Sequence, residues 1–563
     1  VEPEPIATTT DRDPADRAGD RQAAYMGLLD DAAPLFRDGA AVPGAGVLLA
    51  LPALLDTGVL HAARRVYGSL GPAFYGLRTT IVTMLLMALL RIKRPEALKE
   101  RSPSDLGRIL GLDRAPEVKT LRRKLTRLAA LGGGAALSRL LAQRRVAMHG
   151  GALGFLYIDG HVRVYHGQHR IPKTHVARLR LPAPATTDYW INDPHGDPLM
   201  VVTAKANAHL TQVLPDLLVE VRALVGERRV TVVFDRGGWS PKLFAKLSAD
   251  GFDILTYRKG KSRRVPARQF AEHVGHFDGR EVRYVLAEQS VALLAGRLRL
   301  RQVTRKKDGH QTQILTSRTD LSAVEVAYRM FERWRQENFF KYLREEYALD
   351  ALADYQVEPD DPTREVPNPA WAAADAKLRQ ARVELGQLGQ RYGLEALKLV
   401  EMRPDASARQ LKRVGAPIAK MIWAALRRVR TLAHRRARIP SRVPVARITH
   451  GEVIKLATER KHITNLIKMV AYQAESHLTR AIAPHYQRSD DEGRTLVQTA
   501  LASSADLAVT ADELRLTLAP LSSAHRSRSV AALGRDLSAA AVTFPGTRLR
   551  LRYEVAEPAG AWA

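Results

Sequence analysis

The 563-residue sequence predicts an α/β fold: a mixed sheet carrying a β-rich insertion, flanked by a helical N-terminal region and an α-helical/α+β C-terminal region. Three observations lead there. Two apolar runs of strand length each stop at a single carboxylate with glycine close behind, Phe155-Leu156-Tyr157-Ile158-Asp159-Gly160 and Thr231-Val232-Val233-Phe234-Asp235-Arg236-Gly237-Gly238. Around them the periodicity runs strand, strand, strand, helix, strand, helix, strand. The chain is also too long for one hydrophobic core, so its elements divide among several domains.

Residues 1–76 read as a flexible acidic arm, with Asp11, Asp13, Asp16 and Asp20, followed by a helical segment. Residues 77–150 read as a helical region, beginning with an apolar core helix over 77–92. Ser102-Pro103-Ser104-Asp105 is a helix start, because Ser102 can cap, Pro103 suits the first turn and Asp105 completes a capping box. That helix ends at Gly111, and a turn over 112–116 leads to a second helix over 117–130 carrying Lys119, Arg122, Arg123, Lys124 and Arg127. Two short helices about a glycine turn, the second one basic, resemble a DNA-binding helix-turn-helix. An ordinary helical hairpin with a solvated basic face has the same pattern. Gly132-Gly133-Gly134 reads as a linker or helix stop.

Residues 151–350 form the predicted catalytic region. Strands are expected over 155–165, 188–192 and 199–204, with Asp193-Pro194-His195-Gly196-Asp197 as a hairpin turn. A helix over 210–225, a buried strand over 230–234, a helix from Ser240-Pro241 and a strand over 252–257 follow. This order matches a ribonuclease-H-like sheet, whose first and fourth strands are parallel neighbours. Asp159 and Asp235 would then adjoin although 76 positions separate them. Residues 258–312 are too long for a plain connection and read as a β-rich insertion. One long helix over 322–347 carries Glu337. The C-terminal region, 351–563, opens on a Pro- and Asp-rich linker over 359–369. It contains helices over 371–392, 418–438 (the latter very basic) and 455–483, then a small α+β module. It would serve DNA binding or dimerisation.

Lys and Arg number 87 against 59 Asp and Glu, a formal charge of +28. Such an excess favours a polyanion, whose counterions are released on binding. With no cysteine, disulfides and thiolate metal sites are excluded. No apolar run approaches the ~18 residues a membrane span needs. A cytoplasmic, nucleoid-associated protein without membrane contact is expected.

Asp159, Asp235 and Glu337 are the candidate catalytic and metal-binding residues. Mg²⁺, or Mn²⁺ in its place, takes hard oxygen ligands, and a two-metal phosphoryl-transfer site needs few of them. Two ions per site would be held with Asp159 between them and Asp235 and Glu337 on either side. Each Asp alone is also a common turn residue. On a helix Arg333, Glu337 and Lys341 recur every four residues, with Arg344 seven beyond Glu337, so one acid lies among cations suited to a DNA phosphate. A solvated face with ion pairs at that spacing is the plain alternative. Trp239 suits stacking on a flipped base or packing at a helix start. His166, His169 and His175 are too irregular for zinc, and the glycine clusters lack the Lys-Ser/Thr of a phosphate loop.

Tyr-Ile-Asp159-Gly, Val-Phe-Asp235-Arg-Gly-Gly-Trp and Arg333-Trp-x-x-Glu337-x-x-Phe340 together resemble the DDE transposases of bacterial insertion sequences, in the branch with a Tyr-Arg-Glu-Lys signature. The signature Tyr would fall on Met330, with Tyr328 displaced from it, and the signature Lys on Arg344. The resemblance covers about 150–350. It implies metal-dependent cleavage at element ends, followed by attack of the freed 3′-hydroxyl on another phosphodiester. It also implies double-stranded DNA as partner (element ends and target), a homodimer in the DNA complex, and DNA contacts from Tyr328, Arg333, Lys341, Arg344 and Trp239. Lys119, Arg122 and Arg123 would add contacts from the N-terminal region. The alternatives are an inactive, domesticated DNA-binding derivative, or a ribonuclease-H-like nuclease that cuts without joining.

Overall fold

The computed structural model describes residues 13–149, 153–176, 179–204, 208–260, 262–351, 355–403, 408–449 and 451–557. The chain forms two compact units, one of residues 1–168, 172–355 and 457–563, the other of 169–171 and 356–456. The units divide near 356 and 456.

The first unit is built on a ten-stranded sheet. Phe155–Val164 pairs antiparallel with Leu181–Asn192, which pairs antiparallel with Pro198–Thr203 and Lys173–Val176. On its other side Phe155–Val164 runs parallel to Val230–Phe234, and that strand parallel to Phe252–Tyr257. This is the ribonuclease-H-like order, third-second-first-fourth-fifth. Both faces are covered, which is why Val230–Phe234 is apolar except for the buried Thr231. Val230, Val232 and Phe234 pack with Leu214, Leu218 and Phe244 from the helices Leu210–Val225 and Pro241–Ala249. Val233 packs on the opposite face with Tyr157, Leu255 and Met330.

The insertion extends this sheet. Ala271–Phe277, Arg280–Leu293, Leu298–Lys307 and His310–Thr316 form an antiparallel meander, and its last strand pairs with Phe252–Tyr257, Ile314 opposite Tyr257. The single helix expected over 322–347 is two, Ala323–Phe331 and Trp334–Tyr347. At the break the backbone tightens, Arg335 N donating to Glu332 O (2.9 Å) and Gln336 N to Arg333 O (3.0 Å). Tightening there lets Arg333 turn inward, where only 7% of it stays exposed.

Both ends of the chain build a second core around Glu459–Ile482, a helix buried nearly all round. Leu77–Leu89, expected as a core helix, packs there, and Ser102 caps Pro103–Ile109 by accepting from Asp105 N. A four-stranded sheet joins Gly39–Val42 to Ala505–Val509, then Glu513–Leu518 and Arg550–Val555. Residues 1–12 lie outside those described; beyond them Ala18–Tyr25 is the first helix after the acidic arm, and the buried Arg17 donates to Asp20, Ala33 O and Gly111 O. Gly132-Gly133-Gly134 is the expected helix stop: Val118–Ala130 ends just before it, Gly132 has a φ of +64°, and Gly134–His149 starts a further helix. No single described helix is long and apolar enough to cross a membrane.

The second unit is a long antiparallel helical hairpin, Pro369–Met402 and Ala408–Ala437. Two short strand pairs, Val357–Pro359 with Ile454–Leu456 and Glu365–Pro367 with Arg442–Pro444, close its base.

Candidate active site

Strand register brings the first two acids together. Phe155 lies opposite Thr231 and Ile158 opposite Phe234, so the next position of each parallel strand is an acid, Asp159 beside Asp235. A site at the carboxyl ends of adjacent parallel strands is where an α/β sheet leaves an open crevice. Gly160 is needed for close approach: a Cβ there would lie 2.8 Å from the ring of Tyr189 on the neighbouring strand. Asp235 turns the chain sharply, its Oδ1 accepting from Gly237 N at 2.8 Å, and a Cβ on Gly238 would meet the Phe234 ring at 2.4 Å.

Glu337 sits in the first turn of Trp334–Tyr347, with its side chain 69% exposed. Gln336, one residue before it, is buried. Its Nε2 donates to Tyr157 O (3.0 Å), Trp190 O (3.2 Å) and Asn192 Oδ1 (3.1 Å), pinning the helix start to the strand of Asp159 and its neighbour. Arg333 lies between two acids, its Nη2 3.0 Å from Asp159 Oδ2 and 3.9 Å from Glu337 Oε1. Asp159 Oδ1 accepts from Gly160 N at 2.8 Å. Burial raises the Asp159 pKa. Arg333 lowers it, the charge of Asp235 raises it, the Gly160 amide lowers it and Glu337 raises it again, leaving it at about 6. Asp159 thus feels the charges of both other carboxylates.

The far half of the Glu337 helix is clamped separately. Glu475 is fully buried and accepts from Arg91 (2.8 Å), Tyr347 (2.5 Å), Arg494 (3.2 Å) and Tyr342. Burial would raise its pKa, but the two guanidiniums and two hydroxyls outweigh that and hold it below its usual value. His161, two residues past Asp159, bonds Asp350 at 2.6 Å and stacks on Phe340, 5.3 Å between ring centroids.

The other sequence candidates fall elsewhere. Tyr328 is not brought to the acids: it is buried, stacks on Phe277 (4.6 Å) and donates its hydroxyl to Asp278 at 3.0 Å. Burial, then Asp278, pushes its pKa up to about 12. Trp239 is half-buried and meets Phe244 edge-on at 5.4 Å, a packing role. Lys341 and Arg344 are exposed on the Glu337 helix. Lys119, Arg122 and Arg123 are exposed on Val118–Ala130, with Arg122 paired to Glu96, whereas Lys124 is buried. Sequence reasoning missed Gln336, Tyr189 and Tyr257. Both tyrosines have pKa values raised by burial first; Tyr189 also feels Asp159 and Asp235, and Tyr257 feels Arg333 and Glu337. Tyr257 ends the strand next to that of Asp235, a position the strand order alone made visible.

Among the described residues no group of three or more His, Asp or Glu side chains stands ready to hold a metal ion. The donor set of three carboxylates suits a hard cation such as Mg²⁺. The positive charge beside Asp159 is that of Arg333.

A family described as transposase protein matches residues 14–557. A piggyBac transposase, solved by cryo-EM as a synaptic complex with hairpin DNA, is similar at 11% identity with a TM-score of 0.29. The match covers 48% of this chain and 59% of that one. No curated protein matches.

Proposed function

Because the chain belongs to the transposase protein family, we propose that it is the DDE transposase of a bacterial insertion sequence, cutting DNA at element ends and joining the freed 3′-hydroxyl to target DNA. The observation that carries this reading is the parallel register that makes Asp159 and Asp235 neighbours, with Glu337 coupled to Asp159 through Arg333. Asp159, Asp235 and Glu337 would hold two Mg²⁺ ions (Mn²⁺ substituting), which when bound supply Lewis-acid activation of the attacking oxygen and neutralise the leaving one.

The chain's own residues have distinct tasks in this reading. Gln336 fixes the start of the third acid's helix against the first acid's strand, so the acid spacing is set by buried hydrogen bonds and not by a loop. Arg333 keeps Asp159 ionisable and balances the acids until the site is loaded, after which its guanidinium is placed to face a DNA phosphate. Lys341 and Arg344 extend that cationic face along the helix. The exposed cations of Val118–Ala130 suit duplex contact, with a homodimer in the DNA complex and the nucleoid of the cytoplasm as the setting.

The test is a cleavage and strand-transfer assay with the purified full chain, labelled DNA carrying the element's terminal repeats, and Mg²⁺ or Mn²⁺. Metal-dependent nicking and joining that Asp235→Asn lacks is the expected result. Cleavage without joining would identify a nuclease, and binding without cleavage in both proteins a domesticated derivative.

A further inference from the structure

The helix Ala408–Ala437 contains nine Lys and Arg and no Asp or Glu. Five of these cations, between Lys420 and Arg436, are of two kinds. Arg428 pairs with Glu384 (2.9 Å) and Arg436 with Asp375 (3.0 Å), both acids on the partner helix Pro369–Met402. These pairs lie at and beside one edge of the packing seam, to which the buried Ile418 and the half-buried Ile422, Leu426 and Val429 contribute. Lys420, Arg427 and Arg430 have no acidic partner among the described residues. At 100° per residue they fall with Trp423 and His434 inside one arc of about 80°, whose centre lies about 125° around the helix from that seam. Trp423, in the middle of this stripe, is 63% exposed.

From these observations we propose that this outward stripe is a duplex DNA contact that grips the phosphate backbone without reading sequence. From Lys420 to His434 it runs about 21 Å along the helix, at 1.5 Å per residue. Duplex DNA presents one charge per ~1.7 Å of axis, so the whole stripe can lie against phosphates. The hairpin spends its intramolecular ion pairs at the seam and leaves a uniformly positive rail outside. A solvated surface helix would instead interleave the two signs. Trp423 gives the rail an apolar footing against the sugar-phosphate backbone. This inference rests on DNA as the partner but not on the three acids.

The test is the salt dependence of duplex binding by the full chain without divalent metal. Each phosphate contact contributes about 0.9 to the slope of log K against log salt. In K420Q/R427Q/R430Q the slope should fall by about 2 to 3, while R427K/R430K keeps it. W423A should weaken binding severalfold at unchanged slope. Gln retains helix propensity, and an unchanged circular dichroism spectrum confirms the fold. An unchanged slope and affinity in the triple variant overturns the proposal. So does intact binding with altered sedimentation, which would make the stripe a contact with a second copy. A wild type that binds but never cleaves would sink the catalytic reading and leave this one standing.

Discussion

Replacing Asp159 by Asn should make the metal-free protein more stable at neutral pH, although the residue is central to the proposed chemistry. The pKa of Asp159 stands at about 6 in the fold against 3.8 for the free side chain. That is just over two decades of proton affinity, which at 1.36 kcal/mol each amounts to about 3 kcal/mol. The sign follows from linkage. A carboxyl whose folded pKa is raised binds its proton more tightly when folded, so stability falls as pH rises from about 4 to 6, and the whole cost is present above that. The side chain is 23% exposed, so the site is screened only in part. Asn resembles the protonated acid and can accept from Gly160 N in its place. Urea unfolding in EDTA should therefore show Asp159→Asn about 3 kcal/mol more stable than wild type at pH 8, the gap closing below about pH 4. Adding Mg²⁺ should raise the wild-type midpoint and leave the variant's where it was. Equal stability at pH 8, or a variant less stable than wild type, would refute the reasoning. It would mean that Arg333 already compensates the buried charge in full.

Asp235→Asn and Glu337→Gln should each abolish cleavage while a gel-shift assay finds DNA binding retained; normal cleavage by either removes that acid from the site. Tyr328→Phe should leave cleavage within about threefold of wild type, because its hydroxyl serves Asp278 and not the acids. Glu475→Gln should lower unfolding free energy by roughly 3 kcal/mol, the cost of leaving Arg91 and Arg494 without their buried counter-charge. A loss below about 1 kcal/mol in urea titration would show that Arg91 is sufficiently served by Glu346.

What could be read in advance followed burial on both faces. Val230–Phe234 and Phe252–Tyr257 declare themselves because a central strand covered on both sides is mostly apolar, broken here only by Thr231, Asp253 and Thr256. Leu210–Val225 declares itself by its amphipathic period. The neighbourhood of Asp159 and Asp235 then followed from strand order. The break at Glu332 and Arg333 did not, because the residues there are good helix formers and the tightened turn answers to Asp159, 174 positions away. Gly134–His149 was hidden behind three glycines that local preference reads as a stop. Nor could the arm's packing be foreseen, since Gly39 pairs with Leu507 across most of the chain and local pattern holds no trace of such partners. The clamp on the Glu337 helix was not legible, because the burial that makes Glu475 its anchor comes from helices and strands far away in the sequence.

That clamp sets a schedule for the protein's birth. The helix bearing Glu337 leaves the ribosome well before its anchors, Glu475 and Arg494, and the strand Gly39–Val42 waits still longer for Ala505–Val509. At about 5–20 residues per second, the 138 positions from Glu337 to Glu475 alone take roughly 7 to 28 seconds to translate. A chain ending before Arg494 would carry Asp159, Asp235 and Glu337 yet lack part of the clamp on the far half of the Glu337 helix.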